Sequence, residues 1–95
     1  MHYIIHCLDA PGSVDKRLAH YEAHKAYLSE PSVDIVISGP LLADDHETMI
    51  GSFLLVEADS LEAATEFNRN DPFYAAGLWE HISIRPFHKR MDNRG

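Results

Sequence analysis

The sequence predicts an α+β domain of the ferredoxin-like kind, a four-stranded antiparallel sheet with two helices on one face. Three observations carry that reading. Short runs rich in β-branched and aromatic residues recur near 2–8, 33–38, 48–58 and 80–87. Two stretches between them, near 14–29 and 60–70, space their apolar residues at a helical period. Turn-forming steps punctuate the order: Pro11-Gly12, then Asp44-Asp45-His46-Glu47, then Asp71-Pro72. The result is βαββαβ in 95 residues, enough for a single domain spanning 1–95.

The first strand reads His2-Tyr3-Ile4-Ile5-His6-Cys7-Leu8, and Pro11-Gly12 stops it. Ser13 or Asp15 is placed to cap the first helix. Along that helix Leu18, Tyr21, Ala23, Tyr27 and Leu28 form the expected inward stripe, with Lys16, Glu22 and Lys25 left to solvent. Pro31 closes it. The second strand, 33–38, leads into Gly39-Pro40-Leu41-Leu42, and a polar loop returns the chain as a hairpin into the third strand around Gly51-Ser52-Phe53-Leu54-Leu55-Val56. Ser60 opens the second helix, whose apolar positions are Leu61, Ala64 and Phe67. A residue before proline is driven out of the helical region, so Asp71-Pro72 ends it. Residues 73–78 form a short helical turn or loop, and 80–87 largely alternate polar and apolar as the last strand. A flexible tail is expected over 89–95. The sheet's second face needs a cover, and a second copy is the simplest one, which gives a homodimeric α+β barrel.

Composition narrows the function classes. The formal net charge is −7 at pH 7, and the only basic cluster is Lys89-Arg90 with Arg94 in the tail. Phosphate backbones and anionic membranes are bound by clustered Lys and Arg, so neither nucleic acid nor membrane is an expected partner. The longest apolar runs are too short to span a bilayer, and Met1-His2-Tyr3-Ile4-Ile5 reads as a strand rather than a signal peptide. One cysteine, Cys7, allows no internal disulfide and suits a reducing cytoplasm. No GxSxG, phosphate-loop or dinucleotide pattern occurs, which disfavours a nucleotide-cofactor enzyme.

Seven histidines in this length draw the eye, because imidazole changes charge near neutral pH. The favoured reactive pair is His24 with Asp71. In a split βαββαβ layout the two helices run side by side, so a histidine on the first and a carboxylate at the end of the second can approach. A carboxylate beside an imidazole fixes its tautomer and supports proton transfer. Spacing alone is better served by Asp71 capping a turn and His24 being a half-buried helix histidine. His20 and His24 stand four apart, as two metal ligands would, but no HExxH surrounds them and no metal is expected. His2 and His6 share one face of their strand. Cys7, mid-strand without a cationic neighbour, reads as a small hydrophobe. Ser52 follows Gly51, where a ligand has room to approach the backbone.

In order and spacing, Asp9-Ala10-Pro11-Gly12, Arg17, His24 with Tyr27-Leu28, Ser38-Gly39-Pro40-Leu41, Gly51-Ser52, Val56-Glu57-Ala58, Asp71-Pro72-Phe73 and Gly77-Leu78 resemble the YCII-related (YciI-like) family. The resemblance runs from Tyr3 to about Pro86. It implies a dimeric α+β barrel of the kind seen in muconolactone isomerases, with a His–Asp dyad that maps onto His24 and Asp71. Family members often carry a second arginine near position 21, where Tyr21 stands here.

One branch of the family resembles a dehydrochlorinase acting on a chlorinated hydroxyquinol in aromatic degradation. The resemblance therefore implies a cofactor-free lyase or isomerase acting on a small cyclic or aromatic substrate. In it His24 would be the base and Asp71 its orienting partner. Arg17 or Ser52 would hold oxyanions, while Phe73 and the tyrosines would wall the ring. The alternatives are a small-molecule-binding or accessory module without catalysis, and a heme- or metal-handling barrel using a helix histidine as ligand.

Overall fold

The computed structural model of the chain describes residues 1–94; of the tail expected over 89–95, Gly95 lies outside the described residues. The elements are β1 (His2–Asp9), α1 (Val14–Ser29), β2 (Asp34–Leu42), β3 (Met49–Glu57), α2 (Leu61–Arg69), the single turn α3 (Pro72–Ala75) and β4 (Trp79–Phe87). The strands make one four-stranded sheet in the order β2-β3-β1-β4, antiparallel at every pairing. None of the described helices is long and apolar enough to cross a membrane.

Side chains alternate across a strand, so each strand sends one set to each face. On the helix side, Tyr3, Ile5 and Cys7 of β1 meet Leu54 and Val56 of β3, and Ala64, Phe67, Phe73 and Leu78 close the core over them. The opposite face carries His2, Ile4, His6 and Leu8 of β1 beside Phe53 and Leu55 of β3. Ile4, Leu8 and Phe53 are only half-buried there.

The structure departs from the expected elements in three ways. β2 continues through Gly39 and Pro40 to Leu42, past the end expected at Ser38. It is an edge strand, where a proline's missing N–H need not break a ladder. Ser13 takes the N-cap position of α1, but its side chain makes no capping bond. Its φ of −104° and ψ of 13° lie outside the extended conformation that turns a capping oxygen toward the first turn. By contrast Ser60, fully extended, accepts from the Ala63 N–H at 3.1 Å and caps α2 as expected. The third difference concerns which helix faces are buried. Leu18 of α1 and Leu61 of α2 are about half exposed, and Ala23 is exposed, while Arg17, His24 and Asn68 are buried. Asn68 reaches Cys7 Sγ at 3.5 Å, which gives a polar residue of α2 a reason to point inward.

Gly51 marks a tight place in the sheet. A Cβ there would run into the Cys7 carbonyl oxygen of β1. The expected close approach at this glycine is thus made by the neighbouring strand. The β2–β3 turn is tied by Asp45, whose carboxylate accepts from the Thr48 hydroxyl and from the backbone N–H of Thr48 and Glu47. These bonds hold its pKa down to about 2, the Thr48 hydroxyl contributing most. Beyond β4, residues 88–94 form neither helix nor strand, and Asp92 accepts from both Lys89 and Arg94.

Gly51→Ala is expected to destabilise the domain by about 1–3 kcal/mol through overpacking against backbone, read as a fall in thermal midpoint. Cys7 is wholly buried, and burial above all pushes its thiol up to about 12. The thiol therefore stays protonated at pH 8 and is expected to resist alkylation until the protein is unfolded, as mass spectrometry of labelled samples would read.

Candidate functional site

The site is built on α1. Residues four, seven and eleven positions apart share a helix face, and Arg17, Tyr21, His24 and Leu28 form that face toward the protein. Its two most buried members are Arg17 and His24, at 1% and 7% exposure. A helix turns such groups inward only if partners wait for them. The last residue of β1 supplies the first partner. Arg17 Nε donates to Asp9 Oδ2 at 2.7 Å and Nη2 to Oδ1 at 2.9 Å, a two-pronged ion pair. Nη2 also donates to Ser52 Oγ of β3 at 2.8 Å. Among the described residues nothing accepts from Nη1.

The second partner is Asp71, 3% exposed, at the head of α3. His24 Nδ1 lies 2.8 Å from its Oδ2 and 3.0 Å from its Oδ1. Oδ1 also accepts the Phe73 backbone N–H at 2.8 Å, so the carboxylate caps α3 while it holds the histidine. An ionised carboxylate only accepts, so His24 Nδ1 carries a proton, and in the neutral ring the lone pair is then on Nε2. Pro72 fits the first helical position because its missing N–H needs no partner there. The turn ends at Gly77, φ 68°, with Leu78 N–H bonded to Phe73 O and Gly77 N–H to Tyr74 O. That Schellman ending needs a left-handed residue, which glycine supplies without strain.

Phe73 ties the two pairs together. Its ring stacks on His24 with centroids 4.1 Å apart and planes 15° apart, and Arg17 Cζ lies 4.8 Å from its centroid. Trp79 meets it edge-on at 5.8 Å. Among the described residues the Trp79 indole N–H is buried without a partner, and nothing in the structure accounts for it. Tyr27 donates its hydroxyl to Phe67 O at 2.8 Å, and burial, aided by the charge of Asp71, pushes the phenol up so that it stays a donor.

Above this floor opens a cleft of about 220 Å³, lined by Arg17, Tyr21, His24, Lys25 and Leu28 of α1, by Ser38, Gly39 and Pro40 of β2, and by Ser52 and Leu54 of β3. No carboxylate is among its walls.

Comparison with known proteins places the arrangement. The model of the YCII-related domain matches residues 1–88. The chain belongs to the YCII-related family. Within it, Protein YciI of Escherichia coli O6:H1 and of Shigella flexneri are each 36% identical over 96 residues, covering 94% of this chain and 98% of the relative. A Haemophilus influenzae protein is 31% identical over the same coverage. Among solved structures, 5-chloro-2-hydroxyhydroquinone dehydrochlorinase (TftG) of Burkholderia phenoliruptrix AC1100, in complex with 2,5-dihydroxybenzoquinone, superposes with a TM-score of 0.83. It is 36% identical, and the match covers 93% of this chain and 94% of that one.

In this YCII-related protein three of the sequence-derived site residues, His24, Arg17 and Ser52, line one cleft, and a fourth, Asp71, is buried behind His24 and bonded to it. Phe73 does not meet the expectation of a wall against substrate: it is wholly buried and supports the ring of His24 from below. Of the tyrosines, only Tyr21 lines the cleft. His20 is exposed while its neighbour four residues on is engaged by Asp71, so the two do not act as a pair. Among the described residues no three His, Cys, Asp or Glu side chains converge as a metal site would need.

Sequence reasoning missed Asp9 as the partner of Arg17; Lys25 is exposed as expected and also lines the cleft. The i, i+4, i+7, i+11 series from Arg17 was the available signal for Tyr21. Nothing in sequence linked Asp9 to Arg17, because the turn between them sets their approach.

Asp9→Asn is expected to cost about 3–5 kcal/mol in urea unfolding, since it leaves the buried guanidinium without its counter-charge. The double variant Asp9→Leu/Arg17→Met is expected to recover most of that loss, because it removes both charges together.

Proposed function

We propose that this protein is a cofactor-free acid–base enzyme of the lyase or isomerase type acting on a small cyclic or aromatic substrate. Dehydrochlorination of a chlorinated hydroxyquinol is the specific reaction it fits best. The observation that carries the reading is the His24–Asp71 pair. Asp71 holds Nδ1 at 2.8 Å, leaving Nε2 as the ring's free base in a residue that lines the cleft. The likeness to TftG, a dehydrochlorinase, supports it.

Each group then has a chemical task. His24 Nε2 takes a hydroxyl proton from the ring, and Asp71 stabilises the imidazolium that forms. The negative charge spreads over the ring oxygens, where the uncommitted Nη1 of Arg17, oriented by Asp9, and the hydroxyl of Ser52, which accepts from Arg17 Nη2, offer donors. The imidazolium returns its proton to the chlorine-bearing carbon, and chloride leaves as a second hydroxyl loses its proton. The sum is loss of HCl. The ring's oxidation to a quinone is balanced by replacement of C–Cl with C–H, so the reaction needs no external oxidant. A substrate without halide would undergo the same proton removal and return as an isomerisation.

The reading extends to assembly. The sheet face opposite the helices carries Ile4, Leu8 and Phe53 half-buried beside His2 and His6, and a second copy of the chain laid on it would bury it as a dimeric barrel. Light scattering is expected to give twice the monomer mass, falling to the monomer in Phe53→Glu.

The central test is turnover of purified protein, without added metal or cofactor, on halogenated hydroxyquinols and muconolactone-type lactones. His24→Ala and Asp71→Asn are each expected to lower kcat by at least ~100-fold, the usual scale of general acid–base catalysis, with ligand binding retained. Full activity in His24→Ala, in protein shown folded by its near-UV spectrum, would sink the mechanism.

A further inference from the structure

The cleft's charge is at odds with that of the chain. The protein carries a formal net charge of −7, yet the cleft walls hold the cations Arg17 and Lys25, with His24 between them in sequence, and no Asp or Glu. The two cations are not equivalent. Arg17 is held by Asp9 through two bonds in a place with almost no exposure, so its charge is matched before any ligand arrives. Lys25 sits at the mouth, about half exposed. Its ammonium lies 5.0 Å from the centroid of the Tyr21 ring. Its carboxylate neighbour is Glu22 at 3.1 Å, which is 85% exposed. An exposed pair of this kind is weak and screened by salt, so a ligand can displace it. The ring it lies against, Tyr21, lines the cleft as Lys25 does, and that contact favours this position of the ammonium.

We propose that Lys25, seated on Tyr21, is a specificity-determining residue that binds a carboxylate on the substrate. Within the broader class of small cyclic or aromatic substrates, this selects a cyclic or aromatic carboxylate over an uncharged hydroxyquinol, with its ring against Leu28, Pro40 and Leu54 and its reacting oxygens toward His24 and Arg17. The inference rests on the proposed function for where the reacting end lies. It adds what holds the other end. An orienting contact remote from the reacting atoms would place one ring edge, rather than any edge, under the base.

The test is a binding comparison that needs no turnover. 2,5-Dihydroxybenzoate and 2,5-dihydroxybenzamide share shape and hydroxyls and differ in one charge. Titrated calorimetrically into the whole protein, the acid is expected to bind about tenfold tighter than the amide, the scale of a hydrogen bond to a charged group. The preference should shrink as salt is raised, vanish in Lys25→Met, persist in Lys25→Arg and grow in Glu22→Gln, where the competing carboxylate is gone. Equal affinities, no binding of either probe, or a preference that survives in Lys25→Met would overturn the inference. The same pair run on His24→Ala keeps the two readings apart. A carboxylate preference kept in His24→Ala is expected, whereas one seen in an unmodified protein that turns over no substrate of the panel would sink the dyad chemistry alone. Turnover of uncharged hydroxyquinols without a carboxylate preference would sink this inference alone.

Discussion

Burying Arg17 constrains the rest of the site. A guanidinium withdrawn from water must have its charge and its donors met, or it costs several kcal/mol. Asp9 meets the charge from the end of β1, and Ser52 takes a further donor from β3. That arrangement joins α1 to the two central strands of the sheet. It also aims the helix, because once Arg17 is held, His24 seven residues later must face the same way. The arginine is therefore first a structural anchor. It is available to a ligand only through the nitrogen that its protein partners leave unspent.

Asp71 does a comparable job from the other side. One carboxylate caps α3 and holds the imidazole, so the local geometry of a single helical turn sets the tautomer of the proposed base. Pro72 starts that turn and Gly77 stops it. Phe73, carried between them, is the surface on which the imidazole lies. Disturbing the turn would move the aspartate, the stacking ring and the histidine together. This coupling explains how so short an element organises the centre of the cleft.

Much of the site was legible because its parts are locally unusual. An Asp-Pro step, a histidine on an otherwise solvated helix and a Gly-Ser pair inside a strand each break the pattern around them. Phe73 misled because aromatic side chains near polar groups serve equally as floor and as wall, and only burial tells the two apart. The helical stripe misled for a related reason. Leu18 and Ala23 fit an apolar periodicity, but the contacts available to α1 on its inner side were carboxylates, and these favoured Arg17 and His24 over leucine and alanine.

By itself the sequence determined the order of the elements, their periods and the points where the chain must turn. These follow from interactions within a few residues: alternation in strands, caps, prolines and glycines. Tertiary structure alone decided the partners. The match of Asp9 with Arg17 across a turn, of His24 with Asp71 across 47 residues, and of Lys25 with the mouth of a cleft depends on how helices settle on a sheet. That settling minimises unpaired buried charge over the whole molecule, a quantity no local window of sequence contains.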